Sequence, residues 1–476
     1  MTLSQPASRL LDRPASHHGR SWIIWASVLA GLAGSLTSAL YLGTLALAER
    51  VLWPGHGSRL VHGVVFIAIG GLISVLFMVL GDPGQTGEMV EDVHMRGGPQ
   101  RLRMLVSLVP VSLLTIATGA GVGPEPPLMQ TTGTIASWLG RRLGANRAEL
   151  RVLTVTGIAA GLTVLFAAPL GAAVFALELL HRKGLEYYEA LIPASVGSLA
   201  SYAVYTVITG HDLAPVWHFP APPLQFRPID LALGAVAGLG GAAVSHVFGY
   251  MIRSLTKIAR RLPGWLRPPA AGLVLAALGL LVPTGLTYGE AQLGALATTA
   301  AITAPLLVLT AAGHLLAAAV PLAGRWRGGV IIPMFIVGYC LGRAMMVASG
   351  HSTGSLTLAV CMMVACNTGM TKTPIGSTLV VAQSTGVIQL PAMLLAALVC
   401  LSLTSRVTFI GGQRHREDSA AHLLDSAPEK AIPAPHFPQQ EQFPTSDPEF
   451  GILSAPHGEL VAGPAGKSLD PDRREH

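Results

Sequence analysis

Long stretches of this chain carry no formal charge, among them residues 152–177, 231–252, 268–289, 291–324 and 373–405. A helix needs about 20 predominantly apolar residues to cross the hydrocarbon core of a bilayer, so each stretch is long enough to span. The longer ones must hold more than one segment. With 51% hydrophobic and 12% charged residues over 476 positions, the chain is too apolar for a soluble protein of this size and is expected to be an all-α polytopic membrane protein. Gly (54) and Pro (34) are abundant, and most of the glycine lies inside the apolar runs, which suits close helix packing and broken helices.

Within residues 104–140 the single charged side chain is Glu125, set in the stretch GAGVGPEPPLMQTTG at 119–133. An ionisable group at membrane depth is expensive and is a functional candidate by default. Gly121, Gly123, Pro124, Pro126 and Pro127 interrupt the apolar run there, and such residues break helix interiors because they lose backbone order or an amide donor. Proline is favoured in a first helical turn, so the chain is predicted to stop and restart near Glu125 as a short helix through Gln130 toward Leu139. A helix start presents free N–H groups and about half a positive charge, an anion site that needs no cationic side chain. The Glu125 carboxylate would occupy that site itself. Competition between it and a permeant anion makes a gate that responds to protonation; the plainer reading is a buried glutamate paired with an arginine.

Charge along the chain suggests its layout. Arg9, Arg13 and Arg20 mark residues 1–21 as a cytoplasmic leader. Spans are expected at 22–48, 61–80 and 104–119, with a polar loop and short helix at 81–103; two short segments at 152–166 and 169–180, divided by Ala-Ala-Pro, follow, and 191–208 closes a first group of helices. The Pro-rich linker 211–228 holds one arginine and no lysine, whereas Arg253, Lys257, Arg260, Arg261 and Arg267 follow the next span. Positive-inside logic puts that cluster in the cytoplasm and the linker outside. Ala168-Pro169-Leu170-Gly171 followed by Glu178 has a counterpart in Thr373-Pro374-Ile375-Gly376 followed by Gln383, 205 positions on, and Pro127 and Pro333 stand 206 apart. Two pairs at nearly one offset indicate a duplication, a first membrane repeat at 22–210 and a second, upside down, at 229–411. Residues 412–476 are polar, rich in Pro, Glu, Asp, His and Ser, and read as a disordered cytoplasmic tail. The location expected is the cytoplasmic membrane with both termini inside.

Several function classes lack their residues. The formal charge of +6 is modest and spread over segment ends, so nucleic acid is not an expected partner. The spans contain no HExxH, paired Asp or Ser/His arrangement, so an embedded enzyme is not expected, nor is a metal or other cofactor. Cys340, Cys361, Cys366 and Cys400 lack ligand spacing and read as small core residues. Lys372 reads as a helix-end charge snorkelling to the interface, His314 as a satisfied core histidine, and Glu290 as a helix-start acid. Glu88, Glu91 and Asp92 read as a solvated helix face.

The segments GVGPEPP, AAPLGAAVFALE and GGVIIPMFIVGYCLGR, in that order and spacing, resemble the CLC family of chloride channels and proton-coupled chloride transporters. The likeness covers most of residues 22–411, and it is to the prokaryotic type without a folded C-terminal regulatory domain. It implies two inverted repeats of tilted and broken helices, a homodimer with one pore per subunit in the lipid bilayer, and voltage-gated or proton-linked transport of chloride or a similar small anion. Glu125 stands at the family's gating glutamate, flanked here by Pro124 and Pro126 instead of a basic residue and glycine. Gly123 and Pro124 precede the helix start, and Gly329, Val330, Ile331, Ile332 and Pro333 match the loop whose amides line the anion site. Gly84 takes the place of the family's anion-contacting serine. Phe409 maps to its central tyrosine, a ring without a hydroxyl. Glu178 is followed by Leu179, so the coupled transporters' relay acid is missing, leaving Glu178 as a proton-path residue by proximity or a helix-end group. Each lost hydroxyl weakens anion binding by about 0.5–1.5 kcal/mol. The reading is a gated anion channel or loosely coupled carrier, with a chloride/proton antiporter as the alternative and an organic-anion transporter behind it.

Overall fold

A chain with this much apolar surface satisfies its backbone within each segment by forming helices, and the computed structural model is built from them. It describes residues 19–53, 59–182, 187–210, 217, 219, 225–299, 302–350, 356–407 and 409–413. The leader through residue 18, most of the 211–228 linker and the tail beyond residue 413 lie outside the described residues.

Sixteen α-helices occur among them, and they fall into two sets of eight. The first set is α1 (Arg20–Leu52), α2 (Arg59–Leu80), α3 (Thr86–Arg96), α4 (Arg103–Ala117), α5 (Glu125–Arg142), α6 (Arg147–Phe166), α7 (Pro169–Glu178) and α8 (Leu191–Thr209). The second is α9 (Pro228–Ala259), α10 (Arg267–Leu281), α11 (Glu290–Thr298), α12 (Ala304–Ala323), α13 (Ile331–Ala348), α14 (Thr357–Thr371), α15 (Pro374–Thr385) and α16 (Leu390–Thr404). Eight of the helical segments are long and apolar enough to cross a membrane. The 268–289, 291–324 and 373–405 runs do divide. The first holds α10 before a further break, and the other two hold α11 with α12 and α15 with α16.

The two sets correspond in detail. The helices α5 and α13 are both 18 residues long, and α1 and α9 are 33 and 32. A proline sits inside α4 at Pro110 and inside α12 at Pro321. The cap after α6 is Ala167 at φ 52° and the cap after α14 is Lys372 at φ 62°, both left-handed and neither glycine. This conformation ends a helix abruptly and lets the next one, with Pro169 or Pro374 in its first position, leave in a new direction. The sets meet as inverted copies: Gly123 N–H donates to Gly329 O at 2.8 Å and Gly329 N–H to Gly123 O at 2.7 Å, an antiparallel pair.

At the centre lie α6, buried from Glu149 to Phe166, and α14, buried along its whole length. Both lack a face rich in charge to turn outward, as expected of helices enclosed by others. Around α6 pack α1, α5, α7 and α8; around α14 pack α9, α13, α15 and α16. The sets are joined where α2 lies on α10 and α7 on α15. The Asn146 side chain accepts from Glu149 N–H at 2.9 Å while Glu149 accepts from Asn146 N–H at 2.9 Å, a reciprocal cap that starts α6. All four cysteines are buried and free.

Candidate functional site

After α4 the chain needs seven residues to reach α5, and their amides find partners on the opposite repeat. Gly119 O accepts from Thr287 N–H at 2.7 Å, and Gly121 N–H donates to Ala317 O at 3.1 Å. At Gly123 and Gly329 the close approach leaves no room for a side chain. A Cβ on Gly123 would stand 2.3 Å from Glu125 Oε2, and one on Gly329 2.4 Å from the same oxygen and 2.1 Å from Pro126 Cδ.

The space kept free by these two glycines holds the Glu125 carboxylate. Glu125 is fully buried. It opens α5, behind Pro124, whose carbonyl accepts from Leu128 N–H at 2.9 Å. Its Oε1 accepts from the Ile332 N–H at 2.6 Å, and its Oε2 is buried without a hydrogen-bond partner. The residue that begins one broken helix therefore sits on the free amides of its inverted counterpart α13. Among the described residues no arginine or lysine bonds the carboxylate.

Just beyond Glu125 a cavity of about 120 Å³ opens. Three helix starts converge on it: Gln85, Thr86 and Gly87 of α3, Pro126 of α5, and Gly329, Val330 and Ile331 of α13. Phe409 lines it too, packed on Phe248 with ring centroids 5.9 Å apart. Ile332 is buried behind this lining and reaches the site through its amide. Such a convergence sums several positive helix ends on one small volume with little charge to desolvate.

Gly84 is not part of the lining. Its φ of 81° turns it toward Glu88, whose Oε2 would meet a Cβ at 2.5 Å. Thr86 lines the cavity instead and accepts from Gln130 Nε2 at 3.2 Å, which leaves its own O–H to donate. A hydroxyl therefore lines the cavity two residues after Gly84, where α3 begins. Register at a turn decides this, and register is invisible to motif matching.

Glu178 lies apart from the cavity. It ends α7 and is fully buried, with Oε2 accepting from Gly376 N–H at 2.7 Å and Oε1 from Ile375 N–H at 3.2 Å. Both oxygens cap α15, and Gly376 is needed there because a Cβ would stand 2.5 Å from Phe175 Cα. The buried Leu179 follows. Gln383, the counterpart by repeat position, is exposed, so the duplication is broken at this pair.

Lys372 does not snorkel to an interface. It is 1% exposed, and its Nζ donates to Gly369 O and Thr404 O at 2.8 Å and to Thr404 Oγ1 at 2.9 Å. The negative ends of α14 and α16 meet there, and a cation between them satisfies carbonyls that would otherwise be orphaned. His314 is buried, and neither ring nitrogen has a partner, so it is not the satisfied core histidine its setting suggests. Glu290 begins α11 as expected. Asp92 pairs with Arg96 at 3.0 Å on α3.

Sequence reasoning missed Arg327. It lies between α12 and α13, 8% exposed, and lines the cavity. Asp82, just before α3, takes Arg327 on one oxygen and Arg325 on the other. Burial raises the Asp82 carboxyl, but the charges and hydrogen bonds of Arg327 and Arg325 outweigh it and hold the group at about 2. The signal available was the Arg-Trp-Arg run directly before Gly328 and Gly329.

The chain is similar to known proteins. A chloride/fluoride channel protein of Pseudomonas syringae pv. tomato is 28% identical over 347 residues, covering 68% of this chain and 71% of its own. The voltage-gated ClC-type chloride channel ClcB of Shigella flexneri is 27% identical over 328 residues, covering 65% and 74%. Among solved structures, a CLC-type fluoride/proton antiporter superposes with a TM-score of 0.71 at 21% identity, covering 83% of this chain and 98% of that one. A slow cyanobacterial Cl−/H+ antiporter gives 0.69 at 19%, covering 82% and 96%. These two share the fold, inverted repeats of broken helices included. The family model described as voltage gated chloride channel matches residues 82–405, well over half of the chain, from the turn before α3 to the end of α16, and the chain belongs to that family.

Proposed function

We propose that this protein carries chloride or a similar small inorganic anion across a membrane, with Glu125 as its gate, as a gated channel or loosely coupled carrier. The observation that carries the reading is the hydrogen bond from Ile332 N–H to Glu125 Oε1 at 2.6 Å. A carboxylate on the start of α13 holds the place a permeant anion needs, and the two cannot share it. Protonation weakens its claim on the amides and frees the seat. Anion contacts are assigned to the amides around Gly329, Val330, Ile331 and Ile332, to the backbone at Gly123 and Pro124, and to the ring edge of Phe409. Thr86 stands in for Gly84 as the hydroxyl donor.

The weak-coupling part of the reading rests on Leu179 and on Glu178, whose two oxygens are engaged as a cap on α15. Proton antiport is the second reading, favoured by the solved relatives described as antiporters. One relative is described as a chloride/fluoride channel protein, so both anions belong in the assay. We assign the protein to the cytoplasmic membrane as a homodimer with both termini inside, and we take 22–210 and 229–411 as its two repeats. The test is chloride efflux from liposomes holding the purified protein. Glu125→Gln is expected to carry chloride at a rate independent of pH, and an unchanged pH response would remove Glu125 from the gate.

A further inference from the structure

The cavity beneath Glu125 contains a charged group that none of the family's motifs accounts for. Of its described lining residues only Arg327 bears a formal charge. A guanidinium has five N–H donors, and burying it away from solvent is costly unless those donors are used. Arg327 spends one terminal side-chain nitrogen on Asp82, and its Nε is buried without a partner. Its main-chain N–H turns to Thr115 Oγ1 at 3.4 Å.

The segment is held firmly in this pose. Trp326 is fully buried and donates from Nε1 to Pro268 O at 2.9 Å, at the start of α10. Arg325 sits at φ 69°, a left-handed conformation that a branched-chain-free but non-glycine residue adopts only at some cost. That turn lets two arginines of one short loop reach the same carboxylate. Asp82 takes both arginines, and Glu88 in the first turn of α3 lies close enough to feel the charge of Arg327; the described lining of the cavity itself, however, holds no acid, so the guanidinium is the one charge that faces it.

We propose that Arg327 is an anion-receiving side chain at the α3 mouth of the pathway, which holds a monovalent inorganic anion with the Thr86 hydroxyl and the first amides of α3 before it reaches the seat of Glu125. Asp82 is its tether, binding one edge of the guanidinium and leaving Nε for the anion. An arginine supplies what the pair Pro124 and Pro126 cannot, a local positive potential close to the pathway, and a cleft lined by one sign of charge concentrates the opposite ion. The proposal deepens the transport reading and rests on it.

The test uses the full-length protein in two formats: initial chloride flux in liposomes against chloride concentration, and calorimetric chloride titration in detergent. Arg327→Gln is expected to raise the half-saturating chloride about tenfold in both, equivalent to about 1.4 kcal/mol, and to leave the pH response set by Glu125 intact. Arg327→Lys, which keeps the charge and loses the fork, is expected to raise it by less. Asp82→Asn is expected to lower it, since an uncancelled arginine attracts anions more strongly. A protein that transports chloride normally, with all three variants within twofold of wild type, would overturn the assignment of Arg327 while leaving Glu125 untouched. A wild type that binds chloride but does not carry it would instead overturn the transport reading, and the titrations alone would then decide the subsite. Should Arg327→Gln not fold, opposite shifts in Arg327→Lys and Asp82→Asn support the proposal and the lack of any shift refutes it.

Discussion

Gly123→Ala offers a way to unseat the gate without altering it. The three nearest atoms to a Cβ at Gly123 all belong to the Glu125 carboxyl group: Oε2 at 2.3 Å, Oε1 at 2.4 Å and Cδ at 2.6 Å. Contacts that short must be relieved, and the group in the way is the far end of a flexible side chain. Gly123 is not among the positive-φ glycines, so alanine adopts its backbone angles without strain, and the main-chain pair with Gly329 is retained. The substitution therefore acts on one thing, the hydrogen bond from Ile332 N–H to Oε1. A hydrogen bond to a charged group contributes about 1.5–3 kcal/mol, which is roughly a ten- to hundredfold fall in occupancy of the seat. Chloride efflux from liposomes at neutral pH should rise toward the rate that wild type reaches in acid, and the slope of rate against pH should flatten. Gly329→Ala makes a poor substitute, because its Cβ would also strike the rigid Pro126 ring at 2.1 Å and disturb the start of α5. If Gly123→Ala keeps both the wild-type rate and the wild-type pH response, the carboxylate does not occupy an anion's place, and the reasoning from helix starts fails.

Other outcomes follow from the same geometry. Proton and chloride fluxes recorded together should give a small and variable proton count, because Leu179 offers no relay acid; a fixed ratio across chloride gradients would establish antiport instead. Lys372→Met removes three hydrogen bonds that cap α14 and α16 and should destabilise the protein by about 2–3 kcal/mol, read as a lower thermal midpoint in detergent; an unchanged midpoint would deny the cap. Asp82 is held at about 2, below its unfolded value of about 3.9. Its contribution to stability is therefore complete above the unfolded value and lost as pH falls through the folded one. The difference in thermal midpoint between wild type and Asp82→Asn should be constant from about pH 5 to 8 and close below pH 4. A difference that varies near neutrality would place the titration elsewhere.

Much of the architecture was legible because the bilayer is a severe solvent. Runs without charge can be little else than spans, and a glutamate between prolines in such a run cannot lie in an unbroken helix. The start of α5 at Glu125 follows from those two facts. The duplication showed in the paired breaks at Pro127 and Pro333 and at Pro169 and Pro374, since proline marks where a helix begins irrespective of the side chains around it. Lys372 was misplaced because a lone lysine near a helix end resembles an interfacial one. What distinguishes it is the meeting of α14 with α16, and residues 32 positions apart supply its acceptors.

The chain alone determined the class, the two inverted sets of helices and the identity of the one acid at the break, because each depends on local chemistry: hydrocarbon solubility, missing amides and fixed proline angles. Only the tertiary structure decided where the lone pairs of that acid go, which hydroxyl faces the cavity, and that Arg327 belongs to it. Those are contacts between segments some 200 residues apart, Glu125 with Ile332 and Asp82 with Arg327. Their geometry is set by how two copies of one fold close on each other, and no window of sequence contains both partners.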